Sequence, residues 1–356
     1  MTTLRLPGLI DPHVHLRDPG ATHKEDWDSG TAAALAGGFT CVLDMPNNTP
    51  PMTDEPTLAA KEAAAAARAR CDYGLHFGAG AGNAPEAARL APRCTGLKLY
   101  LDATFGPLHL GELGPLQQHF ATWPRDRPIL AHAEGRTVAA VLYLAELYDR
   151  SVHICHVSRR DEIELIAAAR AHGTRVTCEV CPHHLFLTRD NHNLPPGYVE
   201  VRPRLAEQTD VDALWAHLPI IDCFATDHAP HTRVEKESAN PPPGYPGLET
   251  ALPLWLTAVS AGRLTLDDIT QRMHANPQRI FDLPPQADTW VEVDPDREWT
   301  IQASRAQTRC GWTPFEGWRV RGKVTAVYLR GKLAYDGERV LAAPGSGQTV
   351  RKVSGT

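Results

Sequence analysis

Apolar, strand-like runs recur eight times along this chain, and alanine- and leucine-rich stretches separate most of them. The runs cover residues 9–15, 39–45, 73–77, 96–101, 128–133, 152–157, 175–180 and 223–229. Helical candidates between them cover 24–35, 57–70, 84–90, 137–148 and 161–171. Gly37 and Gly173 follow two of these stretches, where a helix C-terminus takes a left-handed residue. Strands that alternate with helices imply βα units and a parallel sheet. Eight such units predict an α/β fold, a (β/α)8 TIM-type barrel, with an open doubly wound sheet as the alternative.

Beyond the eighth run lie two more helical stretches, 248–261 and 266–280. Then the texture changes. Residues 290–340 are rich in β-formers and turns, as in "RVRGKVTAVYLRGKLAYDGERV". This predicts a small β-rich appendage built mostly from the C-terminal part. The expected division is a barrel over 8–285 and an appendage from 1–7 and 286–356, with "NPPPGYPG" as a loop rather than a tether.

A formal net charge of -6 argues against nucleic acid or an anionic membrane as the main partner. No apolar run approaches the roughly 20 residues of a membrane span, and "MTTLRLPGL" has no secretory pattern. The eight cysteines are scattered, mostly inside apolar runs, which reads as reduced buried thiols in a cytoplasmic protein. The Cys-x-x-Cys of "CEVCPHH" has no second pair at zinc-ribbon spacing, so a structural zinc ribbon is rejected. "GAGAG" lacks the full dinucleotide fingerprint and reads as a βα loop.

Placed on the predicted strands, the polar residues fall at one end. His13 and His15 close the first, Lys98 lies in the fourth, His132 closes the fifth, His156 the sixth and Asp227 the eighth. In a barrel, C-terminal strand ends converge on one mouth. Four histidines, a lysine and an aspartate at one rim make a metal-site constellation. Strand side chains alternate, so His13 and His15 share a face while Val14 points away. The plain alternative is a pair of surface or core histidines. A lysine inside an apolar strand must be paired or chemically altered. Lys98 is either in a buried salt bridge or carbamylated, since a lysine kept neutral by burial can add carbon dioxide. Cys155 and Glu179 sit on neighbouring strand ends, either as an additional metal pair with His13 or as a packed thiol and a supporting carboxylate. Arg17, two residues past His15, can reach a carboxylate in the mouth with two hydrogen bonds, or form a surface ion pair. Asn47 offers an amide or is a turn residue. His231 follows Pro230 on the eighth βα loop.

The motifs "DPHVHLRDPG", "MPNNTP", "GLKLYL", "AHAE", "HICHVS", "CEVCPHHLFL", "VRP" and "ATDHAPH" resemble the dihydroorotases of the amidohydrolase superfamily. "GLETALPLWLTAV", "NPQRIFDLP" and "WTPFEG" extend the similarity to the dihydroorotase domain of the animal multifunctional pyrimidine-synthesis proteins, over nearly the whole chain. The resemblance implies reversible cyclisation of N-carbamoyl-L-aspartate to L-dihydroorotate. It implies two zinc ions, one on His13, His15 and Asp227 and the other on His132 and His156. Carbamylated Lys98 and a hydroxide would bridge them, and a third zinc on His13, Cys155 and Glu179 is left open. It implies that Asp227 moves the proton, that Arg17, Asn47 and His231 hold the substrate carboxylate, that Arg202 assists, and that Thr104 and Phe105 ride on a mobile covering loop. It further implies that barrels pair as homodimers and that the chain is part of a larger multifunctional polypeptide. The rival readings are a hydantoinase, dihydropyrimidinase or allantoinase, and a non-catalytic barrel scaffold. The chain departs from the resembled pattern in having few residues before the His-x-His strand, and in Cys181, where alanine is more usual.

Overall fold

A computed structural model describes residues 3–190 and 192–351. After a short strand β1 (Leu4–Pro7), eight strands form one parallel sheet in chain order: β2 (Leu9–Val14), β3 (Phe39–Asp44), β4 (Asp72–Gly78), β5 (Gly96–Tyr100), β6 (Ile129–His132), β7 (Val152–Ile154), β8 (Val176–Val180) and β9 (Cys223–Phe224). Most of their residues are buried, as strands covered on both faces must be. The sheet closes. Val14 bridges His228 in parallel, the His15 amide donates to His228 O at 2.7 Å, and Asp11 accepts from the Thr226 amide and hydroxyl at 3.2 and 2.5 Å. The barrel therefore replaces the open-sheet alternative.

Two of the expected strands overrun the observed ones for one reason. β7 stops at Ile154 and β9 at Phe224, and His156 (φ 36°) and Asp227 (φ 46°) then take left-handed backbone. That conformation ends a strand and is uncommon outside glycine. The helices 24–35 and 57–70 form as Trp27–Ala36 and Glu55–Arg68, each started by an aspartate, Asp26 or Asp54, that accepts an amide of the first turn. Gly173 is left-handed as expected (φ 95°), whereas Gly37 is right-handed and Gly38 supplies the positive φ of 90°. Gly37 answers to packing instead, because a Cβ there would lie 2.1 Å from Leu248 O. The predicted helix 266–280 is interrupted by a π turn, Gln271–Ala275, just before Pro277, whose ring cannot continue a regular ladder.

A second, antiparallel sheet has the order β1, β10 (Trp290–Thr300), β11 (Arg319–Leu329), β12 (Lys332–Tyr335). Val291, Val293, Val324 and Val327 carry it into the main apolar core. The segment between β10 and β11 returns to the barrel mouth, where Trp312 Nε1 donates to His231 O at 2.7 Å and Thr308 bonds Glu25. Residues 347–350 run back along the barrel beside β4. The eight cysteines are all free and buried, and among the described residues no helix is long and apolar enough to cross a membrane.

The two-residue strand β9 depends on what packs against it. Trp255, fully buried in the helix Leu248–Ser260, stacks on Phe224 with ring centroids 4.1 Å apart. Trp255→Ala is expected to cost about 3–5 kcal/mol of stability. Urea unfolding of the two proteins measures it, and a difference under about 1 kcal/mol would show that the site collapses without loss.

Candidate metal centre

His13, His15, Lys98, His132, His156 and Asp227 all line one small cavity at the C-terminal mouth of the barrel, with Arg17, Asn47, Thr104, Phe105 and Arg202 around them. His13 and His15 flank the end of β2 and present their rings 5.2 Å apart, as the period of two requires. His13 Nδ1 lies 2.5 Å from Glu179 Oε1, and His15 Nδ1 lies 2.6 Å from Asn47 Oδ1. Those oxygens only accept, so each Nδ1 carries the proton and each Nε2 keeps a lone pair. Both Nε2 atoms face Asp227 Oδ1, at 3.2 and 3.0 Å.

Burial favours the neutral imidazole at His15, bringing its pKa down to about 3. Burial raises Asp227, but the histidines around it outweigh burial and hold its carboxyl well below the usual carboxylate range. Two lone pairs and an ionised oxygen thus converge with no proton between them. That arrangement is repulsive on its own and fits a cation. His132 and His156 lie alongside, with Nδ1 and Nε2 3.0 Å apart, and burial lowers the pKa of both. His132 Nε2 and His156 Nδ1 are buried without a hydrogen-bond partner among the described residues. Ligand atoms of His13, His156 and Asp227 lie within 4.8 Å of one another, and so do those of His13, Cys155 and Glu179. The donors present fit a metal ion.

Lys98 has none of the carboxylate partners a buried salt bridge requires. It is fully buried, its Nζ donates to Cys155 Sγ at 2.9 Å and lies 5.2 Å from the Tyr100 ring centre, and among the described residues it joins no ion pair.

Arg17 (φ 61°) is buried beside the centre, its pKa brought down to about 10 by that burial. Its Nε donates to Pro230 O at 3.2 Å, and its Nη2 is 3.1 Å from His231 Nε2. His231 is fully buried behind the cavity rather than on its wall. Asn47 is already engaged at both ends of its amide, since Nδ2 donates to Phe105 O at 3.2 Å. Arg202 bonds Glu200 Oε2 at 2.9 Å. The Phe105 ring meets His231 edge-on at 4.9 Å and lies 5.2 Å from the Arg17 guanidinium carbon. Thr104 and Phe105 lie over the site, and the space left there is about 20 Å³, enough for roughly one water.

Lys24 was not singled out from sequence. Its Nζ lies 3.1 Å from His231 Nδ1, 2.9 Å from Glu235 Oε1 and 4.7 Å from the Phe105 ring centre. Lys24 and Arg17 both only donate, and they face the two nitrogens of one imidazole, Nδ1 and Nε2, while Nε2 also lies 3.0 Å from Pro243 O. The contact spans 207 residues of chain, and no local pattern announces it. A larger cavity, about 650 Å³ between the helix Leu248–Ser260 and the second sheet, contains none of the site residues anticipated above.

A family model described as Amidohydrolase family matches residues 4–240. The chain is 54% identical over 349 residues to "Multifunctional protein CAD" of Squalus acanthias, a match covering 98% of this chain and 16% of that protein. It is 38% identical over 368 residues to the dihydroorotase of Pyrococcus furiosus, covering 98% of this chain and 85% of that one. Among solved structures, L-hydantoinase (dihydropyrimidinase) from Arthrobacter aurescens superposes with a TM-score of 0.92 at 26% identity, covering 98% of this chain and 89% of that chain. The chain thus spans about one sixth of the length of its multifunctional relative, and most of the length of the archaeal one.

Proposed function

The chain belongs to the amidohydrolase family, and within it to the dihydroorotases; on that premise we propose that its mouth interconverts N-carbamoyl-L-aspartate and L-dihydroorotate plus water. The observation that carries this reading is a cation-seeking set, His13 Nε2, His15 Nε2 and Asp227 Oδ1, beside a buried arginine that forms no ion pair among the described residues. Two zinc ions would be held by His13, His15 and Asp227 and by His132 and His156, with carbamylated Lys98 between them. When bound, they supply Lewis-acid polarisation of the reacting carbonyl and a water acidified toward neutral pH.

The chain's own groups do the rest. Asp227, held ionised, takes a proton in the hydrolytic direction and delivers it to the leaving nitrogen. In the other direction it returns that proton as the side-chain carboxyl loses water. Arg17 offers two donors to the free α-carboxylate. His231 joins Arg17 at that carboxylate, with Lys24 Nζ behind its ring at Nδ1. Asn47 fixes the His15 tautomer through Oδ1 and offers Nδ2 to the substrate carboxylate in place of Phe105 O. Arg202 lines the same cavity. Thr104 and Phe105 exclude water when the loop closes. The small-molecule substrate and the similarity to multifunctional proteins fit a domain that works within a larger polypeptide, and we propose that such barrels pair.

Hydantoinases and dihydropyrimidinases share the fold, but act on rings without that exocyclic carboxylate. Turnover of dihydroorotate and of dihydrouracil by the zinc-loaded protein separates the readings. Dihydroorotate is expected to be the far better substrate, and preference for dihydrouracil would refute the assignment. Arg17→Gln is expected to raise KM for dihydroorotate about 10–100-fold, the worth of one or two charge-assisted hydrogen bonds. Unchanged KM would remove Arg17 from carboxylate binding.

A further inference from the structure

Past the end of β8, three residues with metal-binding side chains stand outside the set used above. Cys181 precedes the short helix Pro182–Phe186, whose second and third residues are His183 and His184. All three are buried, and one ligand atom from each lies within 4.8 Å of the other two. His184 Nε2 lies 3.1 Å from Pro203 O. A carbonyl only accepts, so Nε2 carries the proton and Nδ1 keeps its lone pair. Among the described residues that buried Nδ1 has no hydrogen-bond partner, and neither has His183 Nε2.

Buried polar atoms nearly always find partners, and each exception needs a cause. Packing does not supply one here. The His183 ring sits edge-on to Tyr245 at 5.2 Å, a contact that an aromatic ring without nitrogens would make as well. Two unsatisfied imidazoles beside a thiol instead match the donor set of a borderline-soft cation.

We propose that Cys181, His183 and His184 form a separate binding site for a divalent cation of the zinc type. One sulfur and two imidazole nitrogens select zinc over magnesium or calcium, which require oxygen donors. On binding, the Cys181 thiol releases its proton to solvent and the sulfur lone pair forms the bond to the ion. The two imidazoles each donate a lone pair and lose no proton. Among the described residues no fourth histidine, cysteine or carboxylate joins the group, so water takes the fourth position. The reaction above uses none of the three residues. Alanine, the residue more usual at position 181 in the resembled proteins, should therefore be tolerated there.

The test uses the whole chain, loaded separately with zinc and with cobalt(II) and then desalted. Wild type is expected to retain about one equivalent more zinc than Cys181→Ala. Its cobalt form should show a near-ultraviolet thiolate-to-cobalt band that is lost in Cys181→Ala and kept in Cys155→Ser, which removes the other thiol near a metal group. His183→Gln, which keeps the Cys181 thiol, should weaken the same band. Dihydroorotate turnover by Cys181→Ala should stay near wild type, so that failure here is distinct from failure of the proposed reaction. Equal zinc content in wild type and Cys181→Ala, with an unchanged cobalt spectrum, overturns the proposal.

Discussion

Lys98→Met is expected to lose most of its bound zinc and to lower kcat/KM for dihydroorotate roughly 10³-fold, the scale of several kcal/mol of transition-state stabilisation. The lysine sits on β5 with no surface exposure. A bare ammonium there would be an uncompensated buried charge, because among the described residues it joins no ion pair and donates to the Cys155 sulfur at 2.9 Å. Carbamylation replaces that cation with an anion carrying two oxygens, on a side chain whose neighbours are a ring of imidazoles. Methionine keeps the length and volume of the side chain but cannot add carbon dioxide, so the barrel should stay folded. Lys98→Ala is the companion. Equal loss in both variants marks the chemistry of the amine, whereas loss in the alanine variant alone marks packing. Labelled bicarbonate should give a carbamate carbon signal in wild type that is missing from both. Full zinc content and full activity in Lys98→Met would sink the bridging role.

Much of this mouth could be read from local pattern. The His-x-His alternation put both rings on one face, and the lysine in "GLKLYL" was conspicuous because nothing apolar about that strand called for it. Cys155 and Glu179 were anticipated from neighbouring strand ends, and the barrel does bring them to His13. What escaped was set by contacts between distant segments. Asn47 was expected to offer its amide to a ligand, yet its oxygen fixes His15 and its nitrogen holds the covering loop. His231 was expected to hold the substrate carboxylate, yet it lies under Phe105 with Lys24 and Arg17 at its two ring nitrogens. The helix Leu113–Thr122 was missed because "FGPLHLGELGPL" is dense in glycine and proline, and tertiary packing overrode the local breakers. Strand ends were overestimated where His156 and Asp227 turn left-handed, since residue type alone does not announce that turn. Those strained residues, with Arg17, lie at the proposed reaction centre, where unusual backbone concentrates.

Asp227→Asn is expected to lower kcat roughly 10²–10⁴-fold, the usual worth of a positioned proton-transfer group, with little change in KM. Asparagine is nearly isosteric, and like aspartate it accepts left-handed backbone, so the φ of 46° is no obstacle to folding. Its amide oxygen can still face His13 and His15 Nε2, now 3.2 and 3.0 Å from Oδ1. What it lacks is a basic oxygen that holds and releases a proton. Zinc content therefore divides the two roles of this residue. Retained zinc with lost turnover assigns the loss to proton transfer, whereas lost zinc assigns it to ligation, and Asp227→Ala should lose both. Near wild-type kcat in a zinc-loaded Asp227→Asn protein would transfer the proton to another group. Glu134, whose Oε1 lies 3.6 Å from His132 Nε2, would then be the first residue to replace.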